Sequence, residues 1–169
     1  MEMIGGLLVL LVYFPIILFI FDKKFRKKFN REHAESKLLI FVEILNGALY
    51  FLMIYLAFNV NLKIDYLFYL GVFIYFPSLF LVYRGYSLYF EEQGLIKKLP
   101  FNISRNPTYF FGLLAVFGVS LMNNSFILGG VVIIQFFLVH LVILREEEYL
   151  EKEYGKEYLD YKKRVRRYV

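Results

Sequence analysis

Five apolar runs, each near the length needed to cross a bilayer, occupy most of the chain and leave little room for any other architecture. They cover about residues 4–21, 38–60, 66–83, 108–122 and 126–144. At 1.5 Å per residue, an eighteen-residue helix reaches about 27 Å, against a hydrocarbon core of roughly 30 Å. Hydrophobic residues make up 59% of the chain, and soluble domains are usually less than about half apolar. The excess is gathered into runs rather than spread, which is the pattern of a membrane protein. The expectation is an all-α integral membrane protein: five transmembrane helices, then a C-terminal amphipathic helix, in a single domain over 1–169. The first run has no basic segment before it and no small-residue cleavage pattern, so it reads as a retained helix.

The runs differ in quality. Pro15 should kink the first, and Pro77 sits inside the third. The fourth reaches only about 22 Å, so it tilts or stops short of the far side. Asn123-Asn124-Ser125 is a tight-turn signal joining the fourth and fifth runs into a helical hairpin. The chain has no cysteine and two histidines, which excludes disulfides and thiolate metal sites and argues against a His-rich one.

With five spans, the 21–37 connector, the 84–107 connector and the tail 145–169 share one side. That side carries 19 of the 20 Lys and Arg residues; the other has only Lys63. The positive-inside rule then puts the N-terminus outside and both connectors and the tail in the cytoplasm. The net charge of +5 fits an anionic lipid surface rather than nucleic acid.

Two cytoplasmic segments hold the chemistry. In LIKKLPFNISRNPTYFFG (95–112), Pro107 suits the first turn of a helix. Ser104 or Asn106 can cap it. Arg105 adds a full charge to the partly positive helix N-terminus, where a carboxylate is well received. Tyr109 stands within one turn, and Gly112 allows close approach. In REEEYLEKEYGKEYLDYKKRVRR (145–167), Glu146, Glu147 and Glu148 follow the C-terminal end of a span. Acids are disfavoured there, so compensation is expected from Arg145, Arg105 or a ligand's ammonium or hydroxyls. Leu150, Tyr154, Tyr158, Tyr161 and Val165 then form one face of a helix with a break at Gly155. That helix either lies on the membrane interface or covers a polar pocket. Within the spans, Glu43, Asn46, Gln135 and His140 should face a cavity or one another.

These residues resemble the isoprenylcysteine carboxyl methyltransferase and phospholipid methyltransferase superfamily. Its members carry a stretch like L-V-x-x-G-P-Y-x-x-x-R-[HN]-P-x-Y-x-G, a helical hairpin, and then E-E-x-x-L-x-x-x-[FY]-G-x-x-Y-x-x-Y-x-x-x-V-x-R. Here the first is met by Leu95, Ile96, Pro100, Phe101, Arg105, Asn106, Pro107, Tyr109 and Gly112. The second is met by Glu146, Glu147, Leu150, Tyr154, Gly155, Tyr158, Tyr161, Val165 and Arg167. The likeness covers about the C-terminal half. Leu99 stands where the pattern has Gly, Phe101 where it has Tyr, and Asn106 where many members have His.

The resemblance implies S-adenosylmethionine as cofactor, bound at the cytoplasmic face. It implies a cofactor site of Pro100, Arg105, Asn106, Pro107, Tyr109, His140, Glu146, Glu147 and Tyr158, with Arg105 and Glu147 as the catalytic pair. Arg105 would meet an anionic group; the Glu pair would meet the cofactor ammonium or ribose hydroxyls. Methyl transfer from a sulfonium needs alignment and dryness more than acid–base groups. An amine acceptor would need a base, and only His140 or a Glu with a raised pKa is on offer. The scarcity leans toward a lipophilic carboxylate or thiol acceptor. Two alternatives remain. One is an NADPH-dependent membrane reductase of the sterol reductase type, with a similar R-x-P-x-Y-x-G turn. The other is a non-catalytic membrane scaffold, which Leu99 would suit.

Overall fold

The computed structural model describes residues 4–21, 37–61, 63–91 and 94–169. The side chains of 15–21, 37–40, 43 and 90 are outside that description. The expectations for the basic connector 22–36, for a kink at Pro15 and for Glu43 therefore lie outside the described residues.

Six helices account for the described chain: α1 (Ile4–Phe21), α2 (Lys37–Phe58), α3 (Tyr66–Glu91), α4 (Pro107–Met122), α5 (Phe126–Tyr154) and α6 (Lys156–Arg164). The architecture is all-helical and membrane-like. Two helices are long and apolar enough to cross a membrane, over Tyr66–Tyr89 and Phe126–Tyr154. Shorter apolar helical stretches run over Ile4–Phe14, Ile44–Phe58 and Pro107–Met122, so helix length and apolarity support two crossings among the described residues and not five. Two boundaries also shift. α3 continues eight residues past the expected end at Tyr83, through Pro77 and out to Glu91. α5 does not stop where its apolar run ends at Leu144 but carries on unbroken to Tyr154, 29 residues in all, or about 43 Å. Nothing breaks it earlier, because Glu, Lys and Leu favour helix as much as the apolar residues before them. The break comes at Gly155, whose φ of 50° suits glycine.

α3 turns small residues inward and large apolar ones outward. On α3, Gly71, Tyr75, Ser78 and Val82 are buried while Tyr69, Phe73, Phe76 and Phe80 are exposed, both sets at helical spacing. Such inversion suits a helix whose outer surroundings are lipid. α3 and α4 pack most extensively, with backbones in direct approach. A Cβ on Gly71 would fall 2.5 Å from the Gly118 carbonyl, and one on Gly118 would fall 2.8 Å from that of Gly71. The core clusters around Val9, Met53, Tyr75, Val116, Val119 and Leu128, drawn from α1 to α5.

The hairpin forms as expected. Ser125 caps α5 by accepting the Leu128 N–H at 3.2 Å, and Asn124 adopts a φ of 51°. Two of the intramembrane polar residues find each other: Gln135 Nε2 on α5 donates to Asn46 Oδ1 on α2 at 2.6 Å. In an apolar interior that bond replaces hydration neither amide could keep.

Candidate functional site

Glu147 sits one turn beyond the apolar part of α5, with its side chain 3% exposed. A carboxylate so buried is tolerated only when its lone pairs are filled. Here they are filled by three residues. Arg105 donates from Nε to Oε1 at 3.3 Å and from an Nη to both oxygens, at 3.1 and 3.2 Å. Arg167 makes a second fork, Nε to Oε1 at 3.0 Å and Nη2 to Oε2 at 2.9 Å. Asn106 Nδ2 adds a bond to Oε1 at 3.0 Å. Burial alone would push the Glu147 carboxyl up, but the Arg167 and Asn106 hydrogen bonds and the two guanidinium charges hold it below the ordinary carboxylate value. The same contact raises Arg167.

The rest of Arg105 fastens the tail. Its Nη1 donates to the carbonyls of Lys162, at 3.0 Å, and Val165, at 3.3 Å, at the end of α6. Its backbone N–H donates to the Arg166 carbonyl at 2.9 Å, and Ser104 Oγ donates to that of Arg167 at 2.9 Å. Tyr161 Oη donates to the Phe101 carbonyl at 2.6 Å, inside the structure. Residues 101–106 and 161–168 are thus zipped together, and Tyr168 lies over α5, 2.5 Å from His140 Nδ1 and against Phe136. Of the two readings of the C-terminal helix, the covering one matches this arrangement: Tyr158 and Tyr161 are buried against the 101–106 loop rather than spread on a surface.

The loop before α4 makes no demand for glycine at position 99. Phe101, Ile103 and Ser104 N–H groups turn back on the Lys98 and Pro100 carbonyls. Leu99 is exposed and is not among the positive-φ residues, so glycine is not required there. The expected side-chain cap on α4 is not made. Asn106 occupies the N-cap position, but its amide reaches Glu147 instead, while Ser104 Oγ accepts the Asn106 N–H at 3.2 Å. A charged acceptor outweighs a neutral cap bond.

The sequence-expected residues fall into three groups. Arg105, Asn106 and Glu147 meet directly, with Pro100 and Pro107 shaping the loop around them. Tyr158 is 1% exposed beside them, its hydroxyl buried without a hydrogen bond; burial pushes it up. His140 is set apart in its contact with Tyr168. Glu146 and Tyr109 turn to another side, where Glu146 is within electrostatic reach of the Tyr86, Tyr109 and Tyr158 hydroxyls. Tyr109 lines a cleft with Tyr13, Tyr50, Tyr86, Thr108 and Gly112, of about 20 Å³, the room of roughly one water molecule. Glu148 stays exposed between Arg145 and Lys152, at 3.1 Å from each.

The profile of the family described as phospholipid methyltransferase matches residues 53–157, well over half of the chain. The chain belongs to this family. No curated protein and no solved structure matches it significantly. The phospholipid methyltransferase match takes in α3, the loop, α4 and α5. It stops before Tyr158, Tyr161, Arg167 and Tyr168, and starts after Tyr13 and Tyr50.

Of those outlying residues only Tyr158 belonged to the site expected from the sequence; the others were left out of it. Arg167 stands in the second motif, but a basic residue in a basic tail reads as a topology signal. Its pairing with Glu147 depends on how α6 folds back. Tyr13, Tyr50 and Tyr86 had no local signal, since a tyrosine in an apolar run looks like core or interface.

Proposed function

We propose that the protein is an integral membrane S-adenosylmethionine-dependent methyltransferase acting on a lipophilic acceptor. In this reading the whole chain is one domain with five spans, the N-terminus is outside, and the motif face is cytoplasmic. The observation that carries it is the 3.1 Å contact between Arg105 and Glu147. Two motif halves 42 residues apart in the chain meet at one site, as a shared ligand site requires. Family membership favours a methyl donor over the NADPH of the reductase alternative.

Buried polar groups fit such a cofactor. The Tyr158 hydroxyl lacks a hydrogen bond, and the Glu146 carboxylate lies within its electrostatic reach. When bound, S-adenosylmethionine supplies an electrophilic methyl group on a sulfonium. The chain supplies the walls. Glu146, Tyr109 and Tyr158 face the ligand, Glu146 toward its ammonium or ribose hydroxyls. Arg105 and Glu147 hold the loop, α5 and the tail in register, the Arg105 guanidinium being spent on Glu147 and the Lys162 and Val165 carbonyls. The tail from Val165 to Tyr168 keeps water out, which in-line transfer requires. A carboxylate acceptor matches this site best, because it needs no proton removed and His140 is committed to Tyr168. The 20 Å³ cleft is far smaller than a nucleoside site, so binding draws a wall back.

Purified protein should bind S-adenosylmethionine in titration calorimetry. Membrane extracts given methyl-labelled donor should gain label in a lipophilic species, found by mass spectrometry. Protein that binds no donor and labels nothing is a non-catalytic scaffold, a reading that the small cleft favours.

A further inference from the structure

Two residues outside the family-matched region complete the tyrosine-lined cleft. Tyr13 on α1 and Tyr50 on α2 face each other with ring centroids 4.5 Å apart, inclined at 54°. Tyr86 on α3 and Tyr109 on α4 line the same space. Gly112 opens it toward α1, where an added Cβ would lie 3.8 Å from Val12 Cγ1. Tyr13 is 7% exposed, and its hydroxyl is buried without a hydrogen bond. A buried hydroxyl left so is destabilising, and native structures keep few of them.

The full charge nearest this cleft is negative. Aromatic faces are negative, and the Glu146 carboxylate acts on the Tyr86 and Tyr109 hydroxyls. Among the described residues no cationic side chain lines it. The nearby guanidiniums of Arg105 and Arg167 are committed to Glu147. A carboxylate or phosphate would be repelled here by the aromatic faces and the Glu146 charge, against which stand only the Tyr13 hydroxyl and the first turn of α4. A cation would be attracted, and a methylated one most of all, because it brings no N–H that needs an acceptor. The cleft's 20 Å³ holds about one methyl group, so an onium centre enters as the tyrosine walls draw apart.

We propose that Tyr13, Tyr50, Tyr86 and Tyr109 form an aromatic cage for the positively charged, methyl-bearing onium centre of a ligand, with Glu146 at its edge. The inference rests on the methyltransferase reading and deepens it. Two sources share this chemistry: the sulfonium of the donor and a methylated ammonium on a lipid headgroup. Helices α1 and α2 thereby become parts of the binding site rather than anchors alone.

The test uses the full chain in lipid nanodiscs. For the sulfonium, titration calorimetry compares S-adenosylmethionine with S-adenosylhomocysteine, which keeps the nucleoside but has a neutral thioether. Tyr13→Leu and Tyr50→Leu should each weaken the sulfonium ligand about three- to tenfold and leave the thioether unchanged, while Tyr13→Phe and Tyr50→Phe stay near wild type. For the ammonium, spin-labelled phosphatidylcholine is compared with spin-labelled phosphatidylglycerol. A wild-type preference for the choline lipid that the Leu variants lose identifies the headgroup as the source. If the Leu variants shift neither preference, shift both nucleosides equally, or are matched by the Phe variants, the cage is overturned. Should the Leu variants not fold, the wild-type protein decides: trimethylsulfonium should raise its melting temperature and dimethyl sulfide should not, and equal effects reject the cage. A wild type that binds neither nucleoside refutes the methyltransferase reading separately, since trimethylsulfonium tests the cage without one.

Discussion

The cluster around Glu147 and the cleft around Tyr13 lie near one another and are built in opposite ways. In the first, the carboxylate is saturated by Arg105, Arg167 and Asn106, and the guanidinium of Arg105 also holds two tail carbonyls. In the second, the rings approach one another, the Tyr13 hydroxyl has no hydrogen bond, and a little space remains. The difference teaches that charge alone does not mark the place where a ligand goes. A buried charge network with every bond made fixes geometry; an under-bonded aromatic space is open to a newcomer.

Substitutions should separate the two regions. The largest effect is expected from Glu147→Ala, which leaves two guanidiniums facing a buried void; it should cost about 3–5 kcal/mol, read as a lowered melting temperature in detergent. A loss below about 1 kcal/mol would show that the cluster holds nothing and would erase the contrast. Arg167→Ala removes one charge-assisted fork from a residue partly open to solvent, so about 1.5–3 kcal/mol is expected by the same assay. Tyr161→Phe deletes the bond to the Phe101 carbonyl and should cost about 1 kcal/mol, with faster exchange of the Arg105 amide hydrogen as an independent sign that the zipped segments have loosened. The smallest effect belongs to the cleft: Tyr13→Phe removes a hydroxyl that bonds to nothing, so stability should stay within about 0.5 kcal/mol or rise.

Acidity offers a sharper comparison. The folded protein holds the Glu147 carboxyl below its ordinary value, so its contribution is complete above the unfolded pKa and disappears as pH falls through the folded one. The stability difference between wild type and Glu147→Gln should be flat from about pH 8 to 5 and shrink below about pH 4. Glu148 is also held low, by Lys152 and Arg145, but is exposed. Glu148→Gln should leave the melting temperature almost unchanged throughout, as expected for surface pairs.

Much of this was legible in the chain. The length of the apolar runs marked the helices, Asn123-Asn124-Ser125 the hairpin, Gly155 the break, and the two motifs the meeting of Arg105 with Glu147. What could not be read has physical causes. The end of α5 was hidden because helical propensity carries on after the apolar signal stops at Leu144. Helix length and apolarity among the described residues carry two crossings, so the expected count of five rests on the apolar runs and the charge asymmetry of the chain. The bond from Asn106 to Glu147 was missed because a local cap looks better than a partner 41 residues away until the charge arrives. Tyr13 and Tyr50 were silent because only the packing of α1 against α2 and α4 brings their rings to the site.

Gln135 and Glu147 ride on one unbroken rod, about 18 Å apart along it. The first is tied to α2 in the membrane interior, the second to the loop and tail at the helix end. The apolar part of α5, 126–144, is about 28 Å long, so a bilayer thinner than that makes the helix lean. A lean of about ten degrees about Gln135 would swing Glu147 sideways by roughly 3 Å, as far as a hydrogen bond is long. The thickness of the surrounding lipid is therefore mechanically geared to the alignment of the polar cluster.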